Sequence, residues 1–339
     1  MSHWFGNFWG LYTLPGITTA SALRWDLSQV LTRRVLCRAL CPLLLSISLA
    51  APALPQVPSG GMPLVDATED TYALKITNSS PKQGEVVEVL VSITPRAASD
   101  ADSQVPVLEV LGSKYKFFPR RIGNDDFYSA LFAVPVVQKP GHYTLSIKNG
   151  AGASIKTKIE VKDAGFQVQR LSLPSSKNNF ITAPGEEEAV DKAKKTVSPV
   201  RHWSGNFVRP SKARTSAPFG IRRIVNGKLL PDYFHSGLDF AGFQGSPIYA
   251  TAPGTVILAQ GGGVFKLHGN MVAIDHGQGV VSFYIHMQKV LVKAGQEVKS
   301  GEQIGMVGQT GRANGPHLHF SIYCNQVASS PLQWFSKAP

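Results

Sequence analysis

The stretch Asn314-Gly-Pro-His-Leu-His-Phe-Ser-Ile-Tyr323 alternates in side-chain character from His317 onwards. That period of two reads as a β-strand, with His317 and His319 on one face and Leu318, Phe320 and Ile322 on the other. Cys324 has the opposite parity to the two histidines and should turn away from them. Upstream, Phe234-His-Ser-Gly-Leu-Asp-Phe240 sets an imidazole four residues before a carboxylate. Ser282-Phe-Tyr-Ile-His-Met287 reads as a further strand that ends on a histidine. Seven of the nine histidines of the chain lie beyond residue 200.

A hydrolytic zinc site needs three protein N or O ligands and an open position. Two histidines and one carboxylate would supply it, leaving two histidines for proton handling or transition-state stabilisation. Each motif alone is weakly specific, and its context must carry the weight. His202, His268 and His276 sit at the domain start, before a glycine and in a Gly-flanked turn, and read as structural.

The chain has 339 residues, 43% hydrophobic and 17% charged, with 32 Gly and 23 Pro. This suits about two strand-rich domains and excludes a disordered chain, a helical repeat and a coiled coil. The net charge of +12 is scattered, and no basic-aromatic cluster points to nucleic acid, which is not an expected partner. Arg33, Arg34 and Arg38 precede the apolar run Leu40–Leu49 and the small-residue string Ala51-Pro-Ala53, the order of a secretory signal. Residues 1–53 therefore read as an N-terminal extension and signal peptide, with residues 1–30 upstream of the true start. The apolar run falls short of the ~20 residues of a spanning helix. The mature chain should begin after Ala50 or Ala53 and lie in the periplasm or cell envelope. It would have no stable membrane span, or an anchor if the signal is retained. Cys37 and Cys41 leave with the signal, so Cys324 remains as a buried structural thiol without a disulfide partner.

Residues 54–64 form a Pro-rich tether. Residues 65–163 carry apolar-alternating runs at Tyr72–Thr77, Val86–Thr94, Val107–Leu111, Phe127–Val134, His142–Lys148 and Ala153–Val161, with a hairpin signal at Asn149-Gly150. Six or seven short strands in about 100 residues predict an immunoglobulin-like β-sandwich. Residues 164–199 read as a linker with one short helix over Glu186–Lys195, where acidic residues lead and basic ones trail. Glu188–Lys192 and Asp191–Lys195 have helical pair spacing, and the triplet Glu186–Glu188 reads as a solvated helix start. Residues 200–339 return to Gly-punctuated strands, with a hairpin at Asn226-Gly227. The expected class is all-β: a sandwich, a linker and a C-terminal antiparallel sheet domain.

Further segments follow the same order as a known family: Ala252-Pro-Gly-Thr-Val256, Gly269-Asn-Met-Val272, Ile274-Asp-His-Gly277, Tyr284-Ile-His286, Val292-Lys-Ala-Gly-Gln-Glu-Val298, Gly301-Glu-Gln-Ile-Gly305 and Val307-Gly-Gln-Thr-Gly-Arg312. With the two motifs above, residues 203–335 closely resemble the lysostaphin-type (LytM) zinc metallopeptidases. The resemblance implies an antiparallel β-sheet metallopeptidase domain binding one Zn2+ through His235, Asp239 and His319. It assigns catalysis to His286 and His317, and peptidoglycan as the substrate. The departures are Met287, where Leu is usual, and Tyr323-Cys324, where Glu and Val or Arg are common. The absence of a recognisable wall-binding repeat favours a DD-endopeptidase cutting D-Ala–diaminopimelate cross-links over a glycyl-glycine lysin.

Two other classes compete. Some relatives lose ligands and serve as non-catalytic modules that activate other wall hydrolases, whereas all five site residues are present here. Val292–Gly301 resembles a lipoyl- or biotinyl-carrier hairpin, but lacks the context of an attachment lysine. The linker offers a latency device as well, in which an oxygen of Asn178, Asn179 or Glu186–Glu188 takes the open metal position.

Overall fold

The computed structural model describes residues 72–93, 105–148, 154–172 and 181–339. The signal, the tether, Asn149-Gly150 and Asn178-Asn179 lie outside the described residues. Eight strands build the first half: β1 (Tyr72–Ile76), β2 (Val86–Ile93), β3 (Val107–Val110), β4 (Ser113–Lys116), β5 (Phe118–Ile122), β6 (Asp125–Ala133), β7 (Gly141–Lys148) and β8 (Ser154–Val161). They form two antiparallel four-stranded sheets, ordered β1-β2-β6-β5 and β4-β3-β7-β8. Val87, Val89, Val91, Leu108, Phe132, Leu145 and Ile159 share one core, as inward-facing alternation in facing sheets requires. His142 is exposed on its strand.

The β4 and β5 strands were not anticipated. Both are edge strands, with the sequences Ser-Lys-Tyr-Lys and Phe-Pro-Arg-Arg-Ile. Lysine and proline are tolerated at a sheet edge, where one row of backbone groups faces away from the ladder. That composition hides a strand from any reading based on apolar alternation.

A ten-stranded antiparallel sheet forms the second half. Its central path runs through Arg214–Ala217, Leu238–Ala241, His317–Cys324, Val280–Val290, Asn270–Gly277, Gly254–Gln260 and Glu297–Val298. Asn270–Gly277 is buried at every position, because both faces of the sheet are covered. One face holds Leu238, Phe240, Val272, Ile274, Tyr284, Leu318, Phe320, Ile322 and Cys324. The other holds Met271, Ala273, Val281 and Phe283, onto which Val190 and Ala193 of helix α1 (Glu186–Lys194) pack. Cys324 is a buried free thiol on the first of these faces.

The segment between the sandwich and the large sheet is built into the fold. Val168–Leu171 pairs in parallel with Arg222–Val225, which forms the Asn226-Gly227 hairpin with Lys228–Phe234. Both turn residues have positive φ, as a two-residue primed turn demands. The sandwich joins the core of the sheet domain through Val86, Leu131, Ala133 and Val136 beside Trp203 and Phe219. Gln333 donates to and accepts from the backbone of Val86, and Glu88 pairs with Arg201 at 2.8 Å. Among the described residues no helix is long and apolar enough to cross a membrane.

Candidate metal centre

Asp239 and His319 are direct cross-strand partners in the sheet, so their side chains rise from the same face. His235 precedes this strand by one tight loop, and its Nδ1–H donates to the Pro218 carbonyl at 2.6 Å. That bond turns the Nε2 lone pair inward. His235 Nε2 lies 3.0 Å from Asp239 Oδ1 and 3.0 Å from His319 Nδ1, and the last two atoms are 2.9 Å apart. Gly237 makes the approach possible, since an added Cβ would lie 2.1 Å from the Phe320 carbonyl oxygen. Among the described residues this trio is the group of His, Cys, Asp and Glu side chains close enough to hold a cation. Two imidazole nitrogens and one carboxylate oxygen, converging with no protein donor between them, fit zinc.

His317 and His286 complete the cluster. His317 Nδ1–H donates to the Gly315 carbonyl at 2.8 Å, and its Nε2 lies 4.0 Å from Asp239 Oδ1. The rings of His286 and His317 are 4.8 Å apart between centroids, and those of His286 and His319 are 6.4 Å apart. The structure therefore brings all five sequence-derived residues together.

His286 arrives by a route that alternation did not reveal. Its strand does not end there but runs on to Val290. Pairing passes from Val272↔Tyr284 to Asn270↔Met287, which leaves an extra residue on one strand. His286 sits in this bulge with φ 63°, a left-handed conformation uncommon outside glycine. Regular parity would send His286 to the Tyr284 face, into the apolar core. The bulge turns it to the His319 face and moves Met287 into the core instead. Its Nδ1–H donates to the Thr310 carbonyl at 2.9 Å, leaving Nε2 for the site.

Burial sets the charge states. Desolvation, then the neighbouring His319 and His317, push the His286 imidazole down to about 3, so it is neutral over the working range. Desolvation opposes ionisation of Asp239, but the His235 and His319 imidazoles beside it prevail and hold its carboxyl far below the usual range. His276 is also neutral, pushed down to about 4 by complete burial. It bridges the Pro253 carbonyl and Ser282 Oγ away from the cluster, in keeping with a structural role.

The acidic triplet corrects the sequence reading. Glu187 and Glu188 are exposed, but Glu186 is fully buried. Its partners are the amides of Ala183, Lys266, Leu267 and His268 and the His268 ring, so it is neither a solvated helix start nor a ligand reaching the metal. The helical pairing is Asp191–Lys194, not the i,i+4 pairs expected. Burial alone would raise the Glu186 pKa, yet these donors lower it from 4.5 to about 2. The resulting stability is present above about pH 4.5 and disappears as pH falls through 2, a contribution of about 3 kcal/mol. In urea melts the stability gap between wild type and Glu186→Gln should narrow from about pH 5 to about pH 2.5. A gap independent of pH would contradict this.

His235, Asp239 and His319, with His286 and His317 beside them, have the donor set that a single-metal hydrolytic centre would require. Residues 233–331 match the model of peptidase family M23, and the chain carries a domain of that family. Over 125 residues it is 43% identical to an uncharacterized metalloprotease of Haemophilus influenzae, covering 36% of this chain and 25% of that relative. Over 114 residues it is 40% identical to the peptidoglycan DD-endopeptidase ShyA of Vibrio cholerae, covering 33% of this chain and 25% of that protein. The matched part thus spans a quarter of the length of these curated relatives. A crystal structure from Pseudomonas aeruginosa assigned to peptidase M23 is similar in fold, with a TM-score of 0.53 at 27% identity. That likeness covers 76% of this chain and 96% of the other.

Proposed function

We propose that the chain is a zinc-dependent endopeptidase that hydrolyses peptide bonds in peptidoglycan cross-links, at D-Ala–diaminopimelate junctions. The observation that carries this reading is the convergence of His235 Nε2, His319 Nδ1 and Asp239 Oδ1 to within 3.0 Å of one another, beside His286 and His317. The similarity to a relative named for DD-endopeptidase action supports the choice of bond.

His235, Asp239 and His319 would hold the zinc. A bound zinc ion lowers the pKa of water from 15.7 towards about 7 and polarises a carbonyl. His286, neutral and with Nδ1–H committed to Thr310, offers Nε2 as an acceptor that orients the attacking water. His317 is the more open of the pair, half-buried where His286 is buried. It is placed to take a proton from water at Nε2 and return it to the leaving amine.

The substrate requires the export inferred from residues 1–53. The order β1-β2-β6-β5 facing β4-β3-β7-β8 supports an immunoglobulin-like assignment for residues 65–163. Residues 200–339 are assigned as the peptidase domain and residues 164–199 as its connection to the sandwich. The test is digestion of purified sacculi by the zinc-loaded chain, with the released muropeptides identified by mass spectrometry. Cross-linked dimers should fall, and monomers with a freed diaminopimelate amine should rise. Unchanged cross-linking would refute the function; cleavage at another peptide bond would refute only the bond assignment.

A further inference from the structure

Glu186 belongs to the connecting segment by sequence, yet it is the most completely satisfied carboxylate near the site. Oε1 accepts from the amides of Leu267 at 3.0 Å and His268 at 2.8 Å, and from His268 Nδ1 at 2.8 Å. Oε2 accepts from the amides of Ala183 at 2.7 Å and Lys266 at 2.8 Å. Three successive loop amides thus form a cradle for an anion, and the protein fills it with its own side chain. The helix that delivers this carboxylate is seated by Val190 and Ala193 on the sheet face from which Asp239, His317 and His319 rise.

The cradled loop reaches His286 once directly and once through the segment that holds its ring. The His268 carbonyl accepts from the His286 amide at 3.0 Å. The Leu267 carbonyl accepts from the Arg312 amide at 3.0 Å, two residues after the Thr310 carbonyl that holds the His286 ring. The Asn270 amide donates to Thr310 Oγ1 at 2.9 Å, which ties the same two segments together. A non-glycine residue at φ 63° persists only where its surroundings over-determine it. Those surroundings are the Lys266–His268 loop and the Thr310–Arg312 segment.

We propose that Glu186 is a positioning residue for His286, clamping the Lys266–His268 loop so that the bulged histidine and its Thr310 partner stay in register with the metal ligands. The inference rests on the reading of His286 as a participant in hydrolysis. The connecting helix is then a working part of the peptidase site, although it lies outside the 233–331 family match.

The test is a double-mutant cycle in the full chain, with a cross-linked muropeptide dimer as substrate. Glu186→Gln should lower kcat by about 10- to 100-fold, the scale of a small misplacement, while KM and bound zinc stay unchanged. In a His286→Ala background the same substitution should change kcat by less than about twofold, because the residue it positions is gone. Glu186→Asp keeps the charge but shortens its reach, and should show a smaller loss with the same dependence on His286. It serves as the probe if the Gln variant fails to fold. Wild-type kcat in Glu186→Gln, or an equal loss with and without His286, would overturn the proposal. Full activity of His286→Ala itself would overturn the role of His286, and this inference with it.

Discussion

Alanine at His319 is expected to abolish zinc binding and peptide cleavage together. His319 Nδ1 is 3.0 Å from His235 Nε2 and 2.9 Å from Asp239 Oδ1, so it is one corner of a three-atom donor set. Two remaining protein ligands hold zinc poorly, and the carboxylate loses a hydrogen-bonding partner. His235→Ala and Asp239→Ala should behave alike. Loss of Asp239 is the more disruptive, since it removes the only negative charge among four imidazoles. Zinc content after dialysis, read beside the rate on sacculi, checks the claim. A His319→Ala protein that retained one zinc per chain would contradict it.

His286→Ala and His317→Ala are expected to separate metal from turnover. Neither imidazole is in the close trio, and each spends Nδ1–H on a backbone carbonyl, Thr310 or Gly315. Zinc should stay near stoichiometric while kcat falls by about 10²–10⁴, the usual scale for a general acid or base. Loss of zinc from His317→Ala together with its retention in His319→Ala would reverse the two assignments within one motif.

The shared face of His317 and His319 was legible. Period-two alternation set both histidines on one face, and the structure bears this out with Cys324 on the other. Cross-strand pairing of Asp239 with His319 explains why the first motif must sit where it does. The inward turn of His286 was not legible, because it depends on a bulge and a positive φ that no alternation rule signals. The resemblance to known peptidases pointed to that residue where periodicity would have buried it.

Glu186 escaped for another reason. Three of its partners are backbone amides 80 to 82 residues away, and backbone donors carry no side-chain signature. An acidic triplet at a helix start has an adequate local explanation, and here the local explanation holds for Glu187 and Glu188 alone. The β4 and β5 strands were missed because edge strands tolerate the charges and the proline that break an alternating pattern.

The most direct test of the account is zinc content by mass spectrometry beside cleavage rate for the five single alanine variants. The account predicts two groups: His235, Asp239 and His319 variants lacking both zinc and activity, and His286 and His317 variants retaining zinc without efficient turnover. Five variants that all kept zinc and cleaved sacculi at the wild-type rate would contradict it.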